Sequence, residues 1–272
     1  MSDPVEPAQA VVGVVGEMMK IAGENPEVKE AGKNLSRAAL TITKTINVCL
    51  LPLAAVNFAF DKARAYFAEK FQDDLAAKAA AIPPENIVEP KASIAGPALQ
   101  GLAFTHEEPN LKEMYLKLLA TAMDGRVSND AHPAFVEIIK QLSAEDAGML
   151  QLVIKKDDFT PMAEIRQSDA NGAGHILLKH VMPLFNPKTK QLQENVRLPV
   201  IVDNWIRLGL VEVEYLRELM GENAYSWVKT RPEFLRLKQV HEKPGLSVTY
   251  KGGFLTRTSL GFQFAKTVGL LD

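Results

Sequence analysis

Thr45–Phe60 reads TINVCLLPLAAVNFAF, sixteen consecutive residues without a charge. Such a run has few places to go, because apolar surface is driven either into a packed interior or against lipid. A membrane-spanning helix takes about 20 apolar residues. This run is shorter, holds Asn47 and Asn57, and is interrupted by Pro52, whose missing amide kinks or divides a helix. It reads as a helical hairpin buried in a core, with entry into or onto a membrane as the competing reading. The residues that would make either contact are Leu50, Leu51, Pro52, Leu53, Phe58 and Phe60. Cys49, the one cysteine, lies inside the run; it excludes an internal disulfide or a cysteine-rich zinc site and reads as a buried thiol.

The segment around this run is helical in pattern. Upstream, Val11, Val14, Val15, Met18 and Ile21 recur near helical spacing, and Ala10, Gly13 and Gly16 form a small-residue face that allows close packing. Residues 1–80 are therefore expected to be an N-terminal helical domain. Ala81–Leu102 changes texture: Pro83, Pro84, Pro90 and Pro97 punctuate it, and it reads as an extended strap over the surface. Two helices follow. EPNLKEMYLKLLATAMDG places Leu111, Met114, Leu118 and Met123 near one face. AHPAFVEIIKQL opens on Pro133 at a favoured first-turn position, with Phe135, Val136, Ile139 and Leu142 inward. Strap and helix pair make up residues 81–142.

Residues 143–272 read as a winged-helix-like α+β domain, so the whole is expected to be mostly α. SAEDAGMLQLVI is a helix capped by Ser143, with Asp146 three residues on. FTPMAEIR is expected to start a short helix, and the stretch from Asn171 to Arg197 to be a polar-edged insertion. LPVIVDNWIRLGLVEVEY runs from helix to strand. SVTYKGGFLTRTSLGFQFAKTVGL then reads as a strand, a turn at Gly252–Gly253, a second strand and a closing helix, the order in which a winged helix carries its wing.

The chemistry of reading DNA is not visible in that order. The candidate reader helix, Leu198–Leu208, offers Asp203, Asn204 and Arg207, and Asp203 repels phosphate. Residues 143–272 hold 17 Lys and Arg against 15 Asp and Glu, a net of +2, where a domain that neutralises several phosphates shows a clear basic face. Arg207, Lys251 and Arg257 are the candidate nucleic-acid contacts. The whole chain carries −2, which supplies no pull toward nucleic acid or an anionic surface.

Catalytic patterns are equally sparse. Among His106, His132, His175, His180 and His241 no two share the spacing of a zinc pair, and His175 and His180 are five apart. Glu107, Glu108 and Glu113 suit the positive end of a helix. NGAG at Asn171–Gly174 lacks the lysine that a phosphate loop would carry. His132–Pro133 reads as a cap and first turn, and Trp205 and Trp227 as packing residues. No catalytic residue, cofactor, metal site or small-molecule substrate is assigned.

The middle of the chain resembles a bacterial family, abortive infection alpha. The residues that carry the resemblance are Pro83, Glu85, Ile87, Pro90, Ile94–Ala95 and Pro97, then Glu108, Leu111, Met114, Leu118–Leu119, Ala122–Met123, His132 to Val136 and Leu142, with LLPL at Leu50–Leu53 upstream. It covers roughly residues 45–270. The resemblance implies a part in defence against phage, in which the infected cell stops growing or dies. It implies no reaction and brings no catalytic residues with it. The expectation is a non-enzymatic phage-defence protein acting through contact with a protein partner or phage component. The apolar hairpin is the candidate effector and a membrane surface a further candidate partner. The alternative is a winged-helix regulator that binds nucleic acid. MSDPVEPAQA lacks the basic start of a secretory signal, so a cytoplasmic location is expected.

Overall fold

A computed structural model describes residues 57–155, 159–185, 192–221 and 223–271. They form two units: residues up to Gly148 join those from Gln263 onward, and Met149–Phe262 form the other. Leu50, Leu51, Pro52, Leu53 and Cys49 lie outside the described residues, as does most of the uncharged run. Among the described residues no helix is long and apolar enough to cross a membrane.

The first unit is helical. Helices α1 (Asn57–Glu69) and α2 (Phe71–Ala79) precede a short 3-10 turn at Pro84–Asn86. Then come α3 (Ala92–Thr105), α4 (Pro109–Met123), α5 (Pro133–Lys140) and the start of α6 (Ala144–Ile154); the end of α9 (Ser259–Thr267) returns to the unit. The apolar faces read from the sequence are the buried ones: Leu111, Met114, Leu118 and Met123 on α4, and Phe135, Val136 and Ile139 on α5 with Leu142 after it. Phe135 meets Phe264 edge to face at 5.6 Å.

The caps behave as their residue types require. His132 precedes Pro133, and its Nδ1 accepts from the Ala134 amide at 3.1 Å. Ser143 and Asp146 exchange side chain and amide reciprocally at 3.0 and 3.1 Å, a capping box at the start of α6.

The strap is shorter than the prolines suggest. It is pinned by the Val88 amide on the Met123 carbonyl and the Gly125 amide on the Asn86 carbonyl, at 2.9 and 2.7 Å. From Ala92 onward the chain is helical, with Pro97 inside α3. The proline gives up one bond, to the carbonyl of exposed Ser93, where water can replace it. Against that loss Ile94, Ala95, Ala98, Leu99, Leu102 and Ala103 are all buried, and burial wins.

The second unit is built on a four-stranded antiparallel sheet in the order β2-β1-β4-β3. Its strands are β1 (Thr160–Ser168), β2 (Gly174–Val181), β3 (Val211–Glu214) and β4 (Ser247–Arg257). Helix α7 (Leu198–Arg207) precedes β3, a 3-10 turn spans Ser226–Thr230, and α8 (Pro232–His241) precedes β4. The central pair, β1 and β4, runs unbroken from Thr160 opposite Leu255 to Ser168 opposite Ser247. The core of this unit collects Ala163, Ile165, Val181, Val228, Phe234 and Val248.

Three expectations fail here. FTPMAEIR is strand β1, not helix: Thr160, Met162, Ala163, Glu164 and Ile165 are all buried, so the alternation that marks a strand is hidden. The supposed insertion holds β2, an edge strand with only its last two residues buried, which gives no apolar pattern. Asn171–Gly174 closes the β1–β2 hairpin, where Asp169 Oδ1 accepts from the Asn171 and Ala173 amides, both at 2.9 Å.

The third is the wing. Gly252 and Gly253 sit in the middle of β4 and make no turn. They are glycines because two tyrosines cross the strand there. A Cβ on Gly252 would lie 2.8 Å from the Tyr225 ring, and one on Gly253 would strike the Tyr215 ring and the Glu214 carbonyl. Tyr225 also donates its hydroxyl to the Gly253 carbonyl at 2.8 Å.

Gly253→Ala is expected to lower stability by roughly 1–3 kcal/mol through overpacking, read as an earlier midpoint in urea. An unchanged midpoint would contradict the packing described.

Candidate functional site

Of the residues expected to touch a partner or membrane, Phe58 and Phe60 fall in the first turns of α1. The three candidate nucleic-acid contacts are spread out. Arg207 ends α7 and donates from Nη2 to Asn204 Oδ1 at 2.7 Å. Lys251 stands opposite Glu164 in the β1–β4 register. Arg257 donates to the Ile154 carbonyl at 3.0 Å and lies 4.9 Å above the Phe262 ring. Lys251 and Arg257 are six residues apart on one strand, about 20 Å at a strand's rise.

The sheet unit does assemble a polar site that no motif announces. His180, near the end of β2, is buried and has φ of 58°. A non-glycine residue in the left-handed region is uncommon and points to local constraint. Beside it the β1–β2 register shifts, between Ala163 opposite Val181 and Ile165 opposite Leu178. That irregularity turns the ring inward.

Both ring nitrogens of His180 are used. Nε2 lies 3.1 Å from Asp203 Oδ1 on α7, and Nδ1 lies 3.1 Å from the Tyr215 hydroxyl, just past β3. The His180 amide donates to the same hydroxyl at 3.1 Å. The Asp203 carboxylate can only accept, so Nε2 carries the proton. Nδ1 is then bare and accepts from Tyr215, whose oxygen accepts in turn from the amide. Burial holds the His180 pKa below its ordinary value, with the Asp203 charge pulling the other way. Burial pushes the Tyr215 phenol up, so it remains a donor.

A buried ion pair belongs to the same unit, with Glu233 on the cleft that His180 lines. Arg231, wholly buried ahead of α8, donates from Nε and Nη2 to Glu233 Oε1 at 2.9 and 2.6 Å. Its remaining donors reach the carbonyls of Leu184 at 3.0 Å and Gln193 at 2.9 Å. One side chain thus ties the helix start to both ends of the segment closed by the Phe185–Leu192 bridge. Arg236 forks onto Glu194 at 2.6 and 2.7 Å and holds that carboxyl below its usual range.

His180, Glu194, Glu233 and Arg236 line a cleft of about 90 Å³. That is room for about three waters, too little for a metabolite. The arrangement fastens one edge of the sheet and holds a neutral imidazole between a hydroxyl and a carboxylate. Among the described residues no group of three or more His, Cys, Asp or Glu is placed to hold a metal ion.

The sequence singled out neither Tyr215, Arg231 nor Glu233. Arg231–Pro232 marks a helix start, but the reach of the guanidinium to residues 38 and 47 positions earlier is a property of the fold. In the sequence, His180 stands out only against His175, at a spacing that does not suit a shared metal.

Two measurements test this site. Stability is expected to fall as pH drops below about 6.5, because the unfolded His180 takes up a proton that the buried ring resists. Lys179, Glu164, Asp203 and Tyr215 are the ionisable groups facing it. His180→Asn, which tolerates the left-handed backbone, is expected to flatten that slope, and an equal slope in both proteins would contradict the assignment. Arg231→Met is expected to cost about 3–5 kcal/mol by stranding Glu233, and the double replacement with Glu233→Met to recover part of it.

Comparison with known proteins supplies the family. No curated protein matches the chain. A solved structure, described as that of an uncharacterized protein from the hydrocarbon-degrading marine bacterium Alcanivorax borkumensis SK2, aligns at 14% identity with a TM-score of 0.31. The alignment covers 50% of this chain and 92% of that one. The family model for abortive infection alpha matches residues 63–268, which takes in nearly every described element from α1 to α9. The chain belongs to the abortive infection alpha family.

Proposed function

We propose that this protein is a bacterial phage-defence factor of the abortive-infection class, acting through protein contact and not through catalysis. The observation that carries the reading is the family match over residues 63–268, which spans both units. The His180–Tyr215 site is consistent with it, since its geometry suits holding a sheet edge in place more than turning over a substrate. In this reading the partner is a host protein or a phage component, met in the cytoplasm. The uncharged Thr45–Phe60 run is the effector, kept packed until infection shifts the population toward a released form, with a membrane surface as its target.

The regulator that binds nucleic acid through a winged helix gains nothing from the residues that would serve it. Arg207 and Arg257 have partners within their own unit, and Lys251 is about 20 Å along the strand from Arg257.

The test is a liquid-culture phage challenge at low and high phage-to-cell ratios, with and without the protein. Protection at the low ratio and collapse of the culture at the high ratio is expected. Survival at both ratios, or protection at neither across a broad phage panel, would contradict abortive infection. For the effector, Leu53→Asp is expected to yield folded protein without protection; full protection by that variant would remove the membrane role.

A further inference from the structure

The helical unit carries a larger cleft that the reading above does not use. It measures about 440 Å³, within the range of about 300–1,000 Å³ typical of small-molecule sites. Its charged lining comes from four separate parts of the chain: Lys78 of α2, Glu113 and Lys117 of α4, Asp130 in the 3-10 turn Ser128–Asp130, and Lys266 of α9. Three ammonium groups face two carboxylates, a net of +1.

The pairing within the cleft decides the sign of its ligand. Lys78 is ion-paired with Glu113. Lys266 stands 3.9 Å from Asp130, an outer-limit, solvent-exposed contact that is worth little and easily exchanged. Lys117 has no ion-pair partner among the described residues. An anion entering the cleft meets Lys117 without breaking a pair, whereas a cation would have to displace a lysine from a carboxylate. The Thr121 and Thr267 hydroxyls are already committed as donors, to the Thr267 carbonyl at 3.1 Å and the Asp130 carbonyl at 3.3 Å, so an anion is met by the lysines and not by these side chains.

Lys117 is also held by the backbone. Gly269 ends α9 in the left-handed conformation, with φ of 75°, and the Leu270 amide closes back on the Ala265 carbonyl at 2.7 Å. A side chain there would be strained by that φ, and its Cβ would lie 2.8 Å from Lys117 Cγ. One glycine therefore both turns the chain and leaves room for the lysine stem across it.

We infer that this cleft binds a small molecule bearing a phosphoryl group, with Lys117 as the principal charge and Lys266 as the second. A phosphoryl dianion offers three acceptor oxygens and enough charge to engage two separated ammonium groups; a carboxylate offers one charge and two oxygens. This binding goes beyond the defence reading and holds whether or not the protein acts against phage.

The test is isothermal titration of the purified full chain at low salt, with pyrophosphate and with ADP as probes. Saturable binding of one probe molecule per chain is expected, weakening as salt is added. Lys117→Met keeps the stem over Gly269 and removes the charge; it is expected to weaken binding about tenfold or more, while Lys117→Arg retains it. Lys266→Gln, at a half-exposed position, removes the second charge without touching the packed stem and is expected to weaken binding as well. Heats no greater than dilution for both probes, or unchanged affinity in both Lys117→Met and Lys266→Gln, would overturn the inference.

Discussion

Tyr215 holds the sheet unit together at one point. Its ring lies over Gly253 in the middle of β4, and its hydroxyl takes the amide and the bare ring nitrogen of His180 at the end of β2. Strands β2 and β3 are at opposite edges of the sheet, with β1 and β4 between them. A side chain from the end of one edge strand therefore fixes the end of the other. Gly253, the left-handed His180 and the shifted β1–β2 register all follow from that crossing. A small residue is needed beneath the ring, and an irregular strand is needed to bring the imidazole to the hydroxyl.

The Arg231–Glu233 pair does comparable work in the same unit, with Glu233 on the cleft that His180 lines. Buried charges are costly unless paired and fully hydrogen-bonded. Here the guanidinium meets a carboxylate and two carbonyls, while Glu233 Oε2 has no hydrogen-bond partner among the described residues. The energy of such a cluster goes into specificity of arrangement more than into stability. Replacing both members with apolar side chains would recover part of what losing one costs, but Leu184 and Gln193 would lose what ties them to the start of α8. This is a scaffold's use of polar groups.

How much of this was legible beforehand depended on whether the signal is local. Helices α4 and α5 were readable because Leu111, Met114, Leu118 and Phe135, Val136, Ile139 repeat at helical spacing and one face is buried. The His132 and Ser143 caps were readable because a cap is a contact between residues two or three apart. Strand β1 was not, because burial on both faces erases its alternation, and β2 was not, because an edge strand has little to bury. The glycine pair misled for a physical reason: glycine serves turns and close approaches alike, and only the tyrosines, 27 and 38 residues earlier, decide which. The polar site was invisible for the same reason, since His180, Asp203 and Tyr215 belong to three different elements. The family resemblance, by contrast, rests on short motifs in order and needs no tertiary contact to be seen.

The hydrogen bond between Tyr215 and the bare Nδ1 of His180 is the claim on which this description of the sheet most depends. It is read most directly from the ring nitrogens of His180 by long-range nitrogen–proton NMR at neutral pH. The Nε2–H tautomer is predicted, with the proton directed at Asp203. A ring protonated at Nδ1, or an imidazolium carrying both protons, would contradict it, because Tyr215 would then have no acceptor and the crossing of β2 and β3 would need another explanation.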